Sequence, residues 1–433
     1  MKKLLLLILF STFIHFSYSQ IGWNNLGTGL NGSVRSFFND SSANTLYIGG
    51  EFTTSNNNPC NHIARWDGNN FSPVDSGLNG SVYTIIKYNG EIYAGGQFSG
   101  AGSMPVSFIA KWNNSVWSDV GGGVNGSVHG LEIYNNELYA TGYFTMAGGL
   151  TVNGIAKWNG INWSPVGSGL SGNILGLSMA NYNNELYVGG QFTLAGGIPA
   201  NYIAKWNGTT WSPVGSGCDA QVHALKVYNG ELYAGGQFLS AGGNSCVFIA
   251  KWNGTNWANV GSSPNDRVEA LGLVNNKLYA GGFFTTIGGI SANYIAEWNG
   301  FNWSALSNGT NNWVFALSDF GNDLYAGGLF TSAGNLTVNH ICRWSESTTA
   351  INHEITKESK FIYPNPCNEK IFFHKELTNC EIEIFNQLGE KIFFGKIEDN
   401  LTEIQISKFP AGIYTLKISN NTDSFIEKLV LEK

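Results

Sequence analysis

The sequence predicts an all-β fold, a seven-bladed β-propeller followed by a small C-terminal β-sandwich, and three observations predict it. A segment close to Leu-Tyr-Ala-Gly-Gly-x-Phe recurs with its Tyr at Tyr47, Tyr93, Tyr139, Tyr187, Tyr233, Tyr279 and Tyr325. A second segment, close to Ile-Ala-Lys-Trp, recurs with its Trp at Trp66, Trp112, Trp158, Trp206, Trp252, Trp298 and Trp344, and both series step by 46 residues with one step of 48. After Trp344 the pattern stops, and short alternating apolar runs fill the remaining chain.

Each repeat reads as four strands. In the second unit these are Val82 to Tyr88, Glu91 to Phe98, Phe108 to Trp112 and Trp117 to Val120. The first two are joined by Asn89-Gly90, a dipeptide that supplies the positive φ of a tight hairpin. Four antiparallel strands per repeat of about 45 residues make a propeller blade. The composition agrees, with 56 Gly for turns and 14% aromatic residues for pleated faces.

Charges set the expected pairing of strands two and three. Glu91, Glu137, Glu185 and Glu231 stand two residues before the repeated Tyr, and Lys111, Lys157, Lys205 and Lys251 follow each by twenty. In the sixth unit both signs exchange together, to Lys277 and Glu297, and in the seventh the pair is Asp323 and Arg343. A joint exchange is what facing positions require, because like charges there repel. These residues therefore read as structural.

Ring closure is also legible. The seventh unit has Ile341-Cys342-Arg343-Trp344 but no Trp strand after it. The missing strand stands at the other end, as Ile21-Gly22-Trp23-Asn24-Asn25-Leu26-Gly27. The N-terminal segment is thus expected to complete the last blade and remove an open edge. The Trp series Trp23, Trp117, Trp163, Trp211, Trp257 and Trp303, with Phe71 at one place, reads as packing between blades.

The double Gly closing strand two and the aromatic hairpin ending in Trp are similar to the kelch and galactose-oxidase class of propellers. The phrasing Leu-Tyr-Ala-Gly-Gly-Gln-Phe to Ile-Ala-Lys-Trp-Asn-Gly resembles repeats of bacterial surface proteins and of fungal cortical-marker ectodomains. Trp stands here where kelch repeats usually have Tyr.

The ends carry the export reading. Lys2 and Lys3 precede an apolar run from Leu4 to Ile14, and Ser17 and Ser19 are small residues before Gln20. This is the pattern of a signal peptide over residues 1–19, and the run is short for a membrane span. No later segment is predicted to cross a membrane. The propeller then occupies 20–346, a polar linker 347–359 and the last domain 360–433. That tail resembles the type A C-terminal sorting domain of the type IX secretion system of Bacteroidetes. The resemblance rests on Tyr363-Pro364-Asn365-Pro366, Asn386-Gln387-Leu388-Gly389-Glu390, Gly412-Ile413-Tyr414-Thr415-Leu416-Lys417-Ile418 and Lys428-Leu429-Val430-Leu431-Glu432-Lys433. It implies the type IX machinery as a partner, passage through the periplasm and the outer membrane, tail removal, and release or attachment at the cell surface. Six Cys in an exported chain are able to pair. Cys218 and Cys246 lie where loop and inter-blade link share a face and make a possible disulfide; the alternative is six small buried hydrophobes.

The net charge of −7 gives no basic field for nucleic acid. Only 12% of residues are charged, against roughly 25% in an ordinary chain. No metal-ligand spacing, nucleophile elbow or cofactor motif is present in the sequence, so no metal and no cofactor are predicted. Acids that the repeated pairs do not use are Glu51, Glu132, Asp219 and Glu269.

The informative residues are those at which the repeats disagree. After the Val that begins strand one (Ile174 in the fourth unit) come Arg35, Tyr83, His129, Leu175, His223, Glu269 and Phe315. Trp313 stands where three units have Ser33, Ser81 and Ser127. Arg35, Tyr83, His129, His223, Glu269 and Trp313 are therefore the candidate ligand-binding residues, at the channel mouth. Neutral drift is the structural alternative for the same positions. The expected function is an exported or surface-attached binding or scaffold protein, with adhesion as one such role, holding a glycan or protein on one face. The second reading is a secreted polysaccharide- or peptide-processing enzyme with its site at the same mouth.

Overall fold

A computed structural model of the protein describes residues 22–171, 175–346, 362–363, 365–373, 380–386, 391–397, 403–419 and 424–432. The predicted leader and linker lie outside the described residues. Among the described residues every regular element is a strand. The chain forms two units, 1–348 and 349–433.

The first unit contains seven four-stranded antiparallel sheets, one per repeat, besides short two- and three-stranded ones. Their first strands are Val34–Asp40, Ser81–Tyr88, Val128–Tyr134, Leu175–Tyr182, Val222–Tyr228, Val268–Val274 and Val314–Phe320. In the second sheet the others are Glu91–Gln97, Ile109–Trp112 and Trp117–Asp119. The seventh is completed by Gly22–Asn25, with Trp23 opposite Trp344 and their rings 5.2 Å apart. Each first strand lies against the first strand of the next sheet, and Val314–Phe320 lies against Val34–Asp40.

Two repeated contacts hold neighbouring sheets together. The double Gly of one sheet receives the Val of the next: a Cβ on Gly49, Gly95, Gly189, Gly235, Gly281 or Gly327 would stand within 2.6 Å of Val82, Val128, Val222, Val268, Val314 or Val34 respectively. These glycines have no side chain because a neighbour's methyl occupies the space. The fourth-strand indoles also bond across sheets. Trp117, Trp163, Trp211, Trp257, Trp303 and Trp23 donate Nε1–H to the carbonyls of Val74, Val120, Val166, Val214, Val260 and Leu306, at 2.7–3.3 Å.

Three details differ from the sequence reading. Lys111 lies opposite Tyr93, not opposite Glu91. The pair is therefore diagonal on one face, with the long Lys side chain spanning to 2.8 Å; Lys277 and Glu297 meet at 3.2 Å in the same way. Second, the possible Cys218–Cys246 disulfide is not formed. Both are buried thiols of one apolar cluster, and burial pushes each thiol pKa up. Third, the two extra residues of the fourth unit precede Gly176, which pairs with Gly190 as Val34 pairs with Gly50. Gly176 thus takes the place of the repeated Val, and Ile174, which the sequence reading put there, lies outside the described residues. Its partner in the third sheet is Thr141 instead of Gly, so the sizes are exchanged across that one contact.

The second unit contains a three-stranded sheet (Ile362–Tyr363, Lys370–Phe373, Glu403–Gln405) and a four-stranded one (Lys391–Ile397, Cys380–Phe385, Gly412–Ser419, Ser424–Leu431). Alternation along the strands sends Ile371 and Ile404 of the first, and Ile382, Ile384, Leu416 and Ile418 of the second, into one core.

Candidate ligand-binding site

Each first strand is broken near its start by a β-bulge, with register shifts at Val34/Ser36, Val82/Thr84, Val128/Gly130, Gly176/Ser178, Val222/Ala224, Val268/Ala270 and Val314/Ala316. The residues inside these breaks are Arg35, Tyr83, His129, Leu177, His223, Glu269 and Phe315. A bulged residue has no ladder partner, and the bend re-aims its side chain. All seven line one cavity of ≈ 300 Å³, together with Glu51. Leu177 stands there and Leu175 does not, because the fourth unit's insertion lies earlier than the sequence alignment of repeats placed it.

Neighbours around the cavity are paired. Arg35 donates through Nε and Nη2 to Oε1 of Glu51, at 3.1 and 2.9 Å, and lies 4.0 Å above the Phe315 ring. Ser33 donates to the other Glu51 oxygen at 2.9 Å. The Tyr83 ring stacks on His129 at 4.8 Å, and its hydroxyl donates to Gln97 at 3.2 Å. Nε2 of His129 is 2.9 Å from Ser127 Oγ. Glu269 accepts from Nδ1 of His223 at 2.7 Å and forms an ion pair with Arg267, whose Nε lies 2.6 Å from its other oxygen.

Electrostatics follow from this packing. Burial, helped by the nearby Arg35 charge, lowers the His129 pKa to about 4, so the ring is neutral near pH 7. Burial alone would raise Glu269, but the bonds and charges of His223 and Arg267 outweigh it and hold the carboxyl below its ordinary range. The cavity thus carries charges that are already mated.

Trp313 does not line the cavity. It stacks on Phe283 at 4.0 Å and 27°, and Arg267 lies 3.6 Å from the Phe283 ring centre, so Phe283 is held between guanidinium and indole. The indole stays 37% exposed. The acids counted as unused by the repeats all have partners. Glu51 and Glu269 are described above, and Asp219 accepts from the amides of Leu239 and Ser240. Glu132 accepts from its neighbour Ile133 and from Asn181.

Sequence reasoning missed Glu51, Arg267 and Phe283 as parts of this region. A signal for them was present. Glu51 and Phe283 occupy the x of Gly-Gly-x-Phe, which is elsewhere Gln97, Tyr143, Gln191, Gln237 and Leu329. Arg267 occupies the position before the repeated Val, as Trp313 does. Among the described residues no group of three or more His, Cys, Asp or Glu is placed to hold a metal ion, and no helix is long and apolar enough to cross a membrane.

Residues 361–432 match the family of secretion system C-terminal sorting domains, and residues 44–68 match a β-propeller domain of unknown function, DUF5122. The chain therefore carries a type IX sorting tail behind a β-propeller domain, and the tail marks it for export to the cell surface or beyond. No curated protein matches the sequence. Similar solved structures include the extracellular domain of BT4673 from B. thetaiotaomicron, at 13% identity and TM-score 0.48 over 96% of this chain and 58% of that one. Another is the WD40 β-propeller domain of Doa1, at 12% and 0.48 over 75% and 98%. A third is PorZ, a surface component of the type IX secretion system of Porphyromonas gingivalis, at 12% and 0.37 over 93% and 66%. The chain spans about 58–60% of the length of the BT4673 structures.

Proposed function

We propose that this is an exported binding protein whose seven sheets are the blades of one closed propeller, and that its ligand sits at the ring of bulged first-strand residues. One observation carries the reading. Side chains from all seven repeats, at the one position released from the strand ladder, converge on a single cavity while the packing positions repeat almost unchanged. Drift alone gives no reason for Arg35, Tyr83, His223 and Glu269 each to be fixed by a neighbour of matching chemistry. Preformed polar groups around a concave site are the mark of small-ligand or chain-end recognition. Removal of residues 1–19, a kelch-like ancestry, a sandwich fold for the tail and a role in adhesion belong to the same proposal.

The enzyme reading has one observation in its favour, the His223–Glu269 pair at 2.7 Å. A carboxylate that fixes an imidazole is the arrangement of a general base. The two readings divide on one variant. With the secreted full chain, calorimetry against fractionated extracellular polysaccharide and protein is expected to show binding that Glu269→Gln weakens, with no product released. Binding indifferent to Glu269→Gln and His223→Gln would overturn the site. Turnover that disappears in Glu269→Gln would replace binding by catalysis.

A further inference from the structure

Resting on that site, we infer that its ligand is a neutral carbohydrate whose terminal ring stacks on Trp313 while its hydroxyls enter the adjoining cavity. The first argument is charge. Arg35 is mated to Glu51, and Arg267 to Glu269, so each carboxylate and guanidinium at the cavity lining already faces its counter-charge. An ionic ligand would arrive stripped of water with nothing to compensate it. His129 adds no charge near neutral pH, since burial and Arg35 disfavour its protonation.

The second argument is hydrogen bonding. A sugar hydroxyl donates and accepts at once, and adjoining hydroxyls demand both roles side by side. The cavity offers that alternation already fixed: the Arg35 guanidinium against the Glu51 carboxylate, the His223 imidazole against Glu269, and the Tyr83 hydroxyl against Gln97. A purely apolar ligand would strip water from the remaining donors and acceptors of these groups and return no hydrogen bond.

The third argument is the indole. The other Trp residues are buried or half-buried in the repeated packing, while Trp313 is 37% exposed. Most repeats need only a small or flexible polar residue there, as Ser33, Ser81, Ser127 and Gln221 show. Here a large flat ring is held rigidly, stacked on Phe283, which is itself clamped by Arg267, with Phe315 at its edge. A rigid aromatic platform loses little conformational entropy on binding and offers a flat apolar surface to the C–H face of a pyranose.

The test is isothermal calorimetry of the secreted full chain against three sets: neutral gluco-, galacto-, manno- and xylo-oligosaccharides, their uronate counterparts, and short peptides. At least one neutral oligosaccharide is expected to bind. Trp313→Ala is expected to weaken it about ten-fold, as an aromatic anchor does, and Trp313→Phe to retain most of it. The melting temperatures of both variants should match the parent, which separates lost stacking from lost fold. Neutral-sugar binding that ignores Trp313→Ala overturns the stacking. Uronates or peptides binding in place of neutral sugars overturns the ligand class, while loss of that binding in Glu269→Gln would leave the site itself standing. Failure of the whole panel to bind also overturns the ligand class.

Discussion

The exchange between Thr141 and Gly176 makes the packing of neighbouring sheets testable by a mutant cycle. At six contacts a Val methyl fills the space beside a Gly; at this one, Thr fills the space beside a Gly on the opposite strand. A Cβ on Gly176 would overlap Thr141 Oγ1 and stand 2.8 Å from its Cβ. Gly176→Val alone is therefore overpacked, at a cost of about 1–3 kcal/mol. Thr141→Gly alone removes a fully buried side chain and its 2.8 Å bond to the Gly154 carbonyl. That carbonyl keeps the Gly142 amide at 3.1 Å, so the loss is the hydrogen bond, the methyl and the Gly backbone entropy, about 2 kcal/mol together. The double variant restores the Gly–Val contact of the other six. It is expected within about 1 kcal/mol of the parent, a coupling of at least about 2 kcal/mol. The assay is urea unfolding followed by Trp fluorescence. All 14 Trp precede the tail, so the signal reports the repeat region alone. If the two single costs add in the double variant to within about 0.5 kcal/mol, the interlocking account is wrong.

Two further outcomes follow from single residues. Glu132 lies three residues beyond His129 on the first strand of the third sheet, and burial raises its pKa to about 7, against the opposing pull of the Ile133 amide and the Lys226 charge. The folded state then holds this proton when the unfolded chain has lost it, so stability falls as pH rises between about 4.5 and 7. Glu132→Gln should remove that fall and be more stable than the parent at pH 8 by about 1–3 kcal/mol, the lower figure allowing for its partial exposure; denaturant midpoints at pH 4 and pH 8 check it, and an equal shift at both pH values would refute it. On the opposite end of the first strands, Tyr88, Tyr134 and Tyr182 donate their hydroxyls to turn carbonyls of Asn136, Asn184 and Gly230 at 2.8–3.0 Å. Val274 takes this place in the sixth sheet and leaves a cavity of ≈ 330 Å³ beside Asn322. Val274→Tyr is expected to fill it and to add about 0.5–2 kcal/mol, read as a higher melting temperature; a lower one would show that the cavity is too narrow for the ring.

How far this chain was legible depends on which residues are shared by the repeats and which are not. The Tyr and Trp series fixed the all-β class because packing between sheets must satisfy the same geometry each time, and identical demands leave identical residues. The charge exchange at Lys277 and Glu297 carried the face that these residues share, but not the diagonal offset, since a Lys long enough to span two positions carries no record of which it spans. The bulge could not be read at all. It is a backbone event with no residue type of its own here, so the alignment of repeats placed Leu175 where Leu177 belongs. The signal that would have corrected it was chemical: Gly176 in place of Val makes sense only beside Thr141 in place of Gly. Variable positions were legible as variable, yet their meaning came from neighbours that a one-position comparison does not join. Glu51 fixes Arg35 from the adjacent strand, and Arg267 fixes Phe283, which in turn fixes Trp313 of the following sheet. The candidate site is thus a property of adjacency between repeats. A repeat protein keeps its packing in what the units have in common, and it can hold a ligand only through what each unit shows to the next.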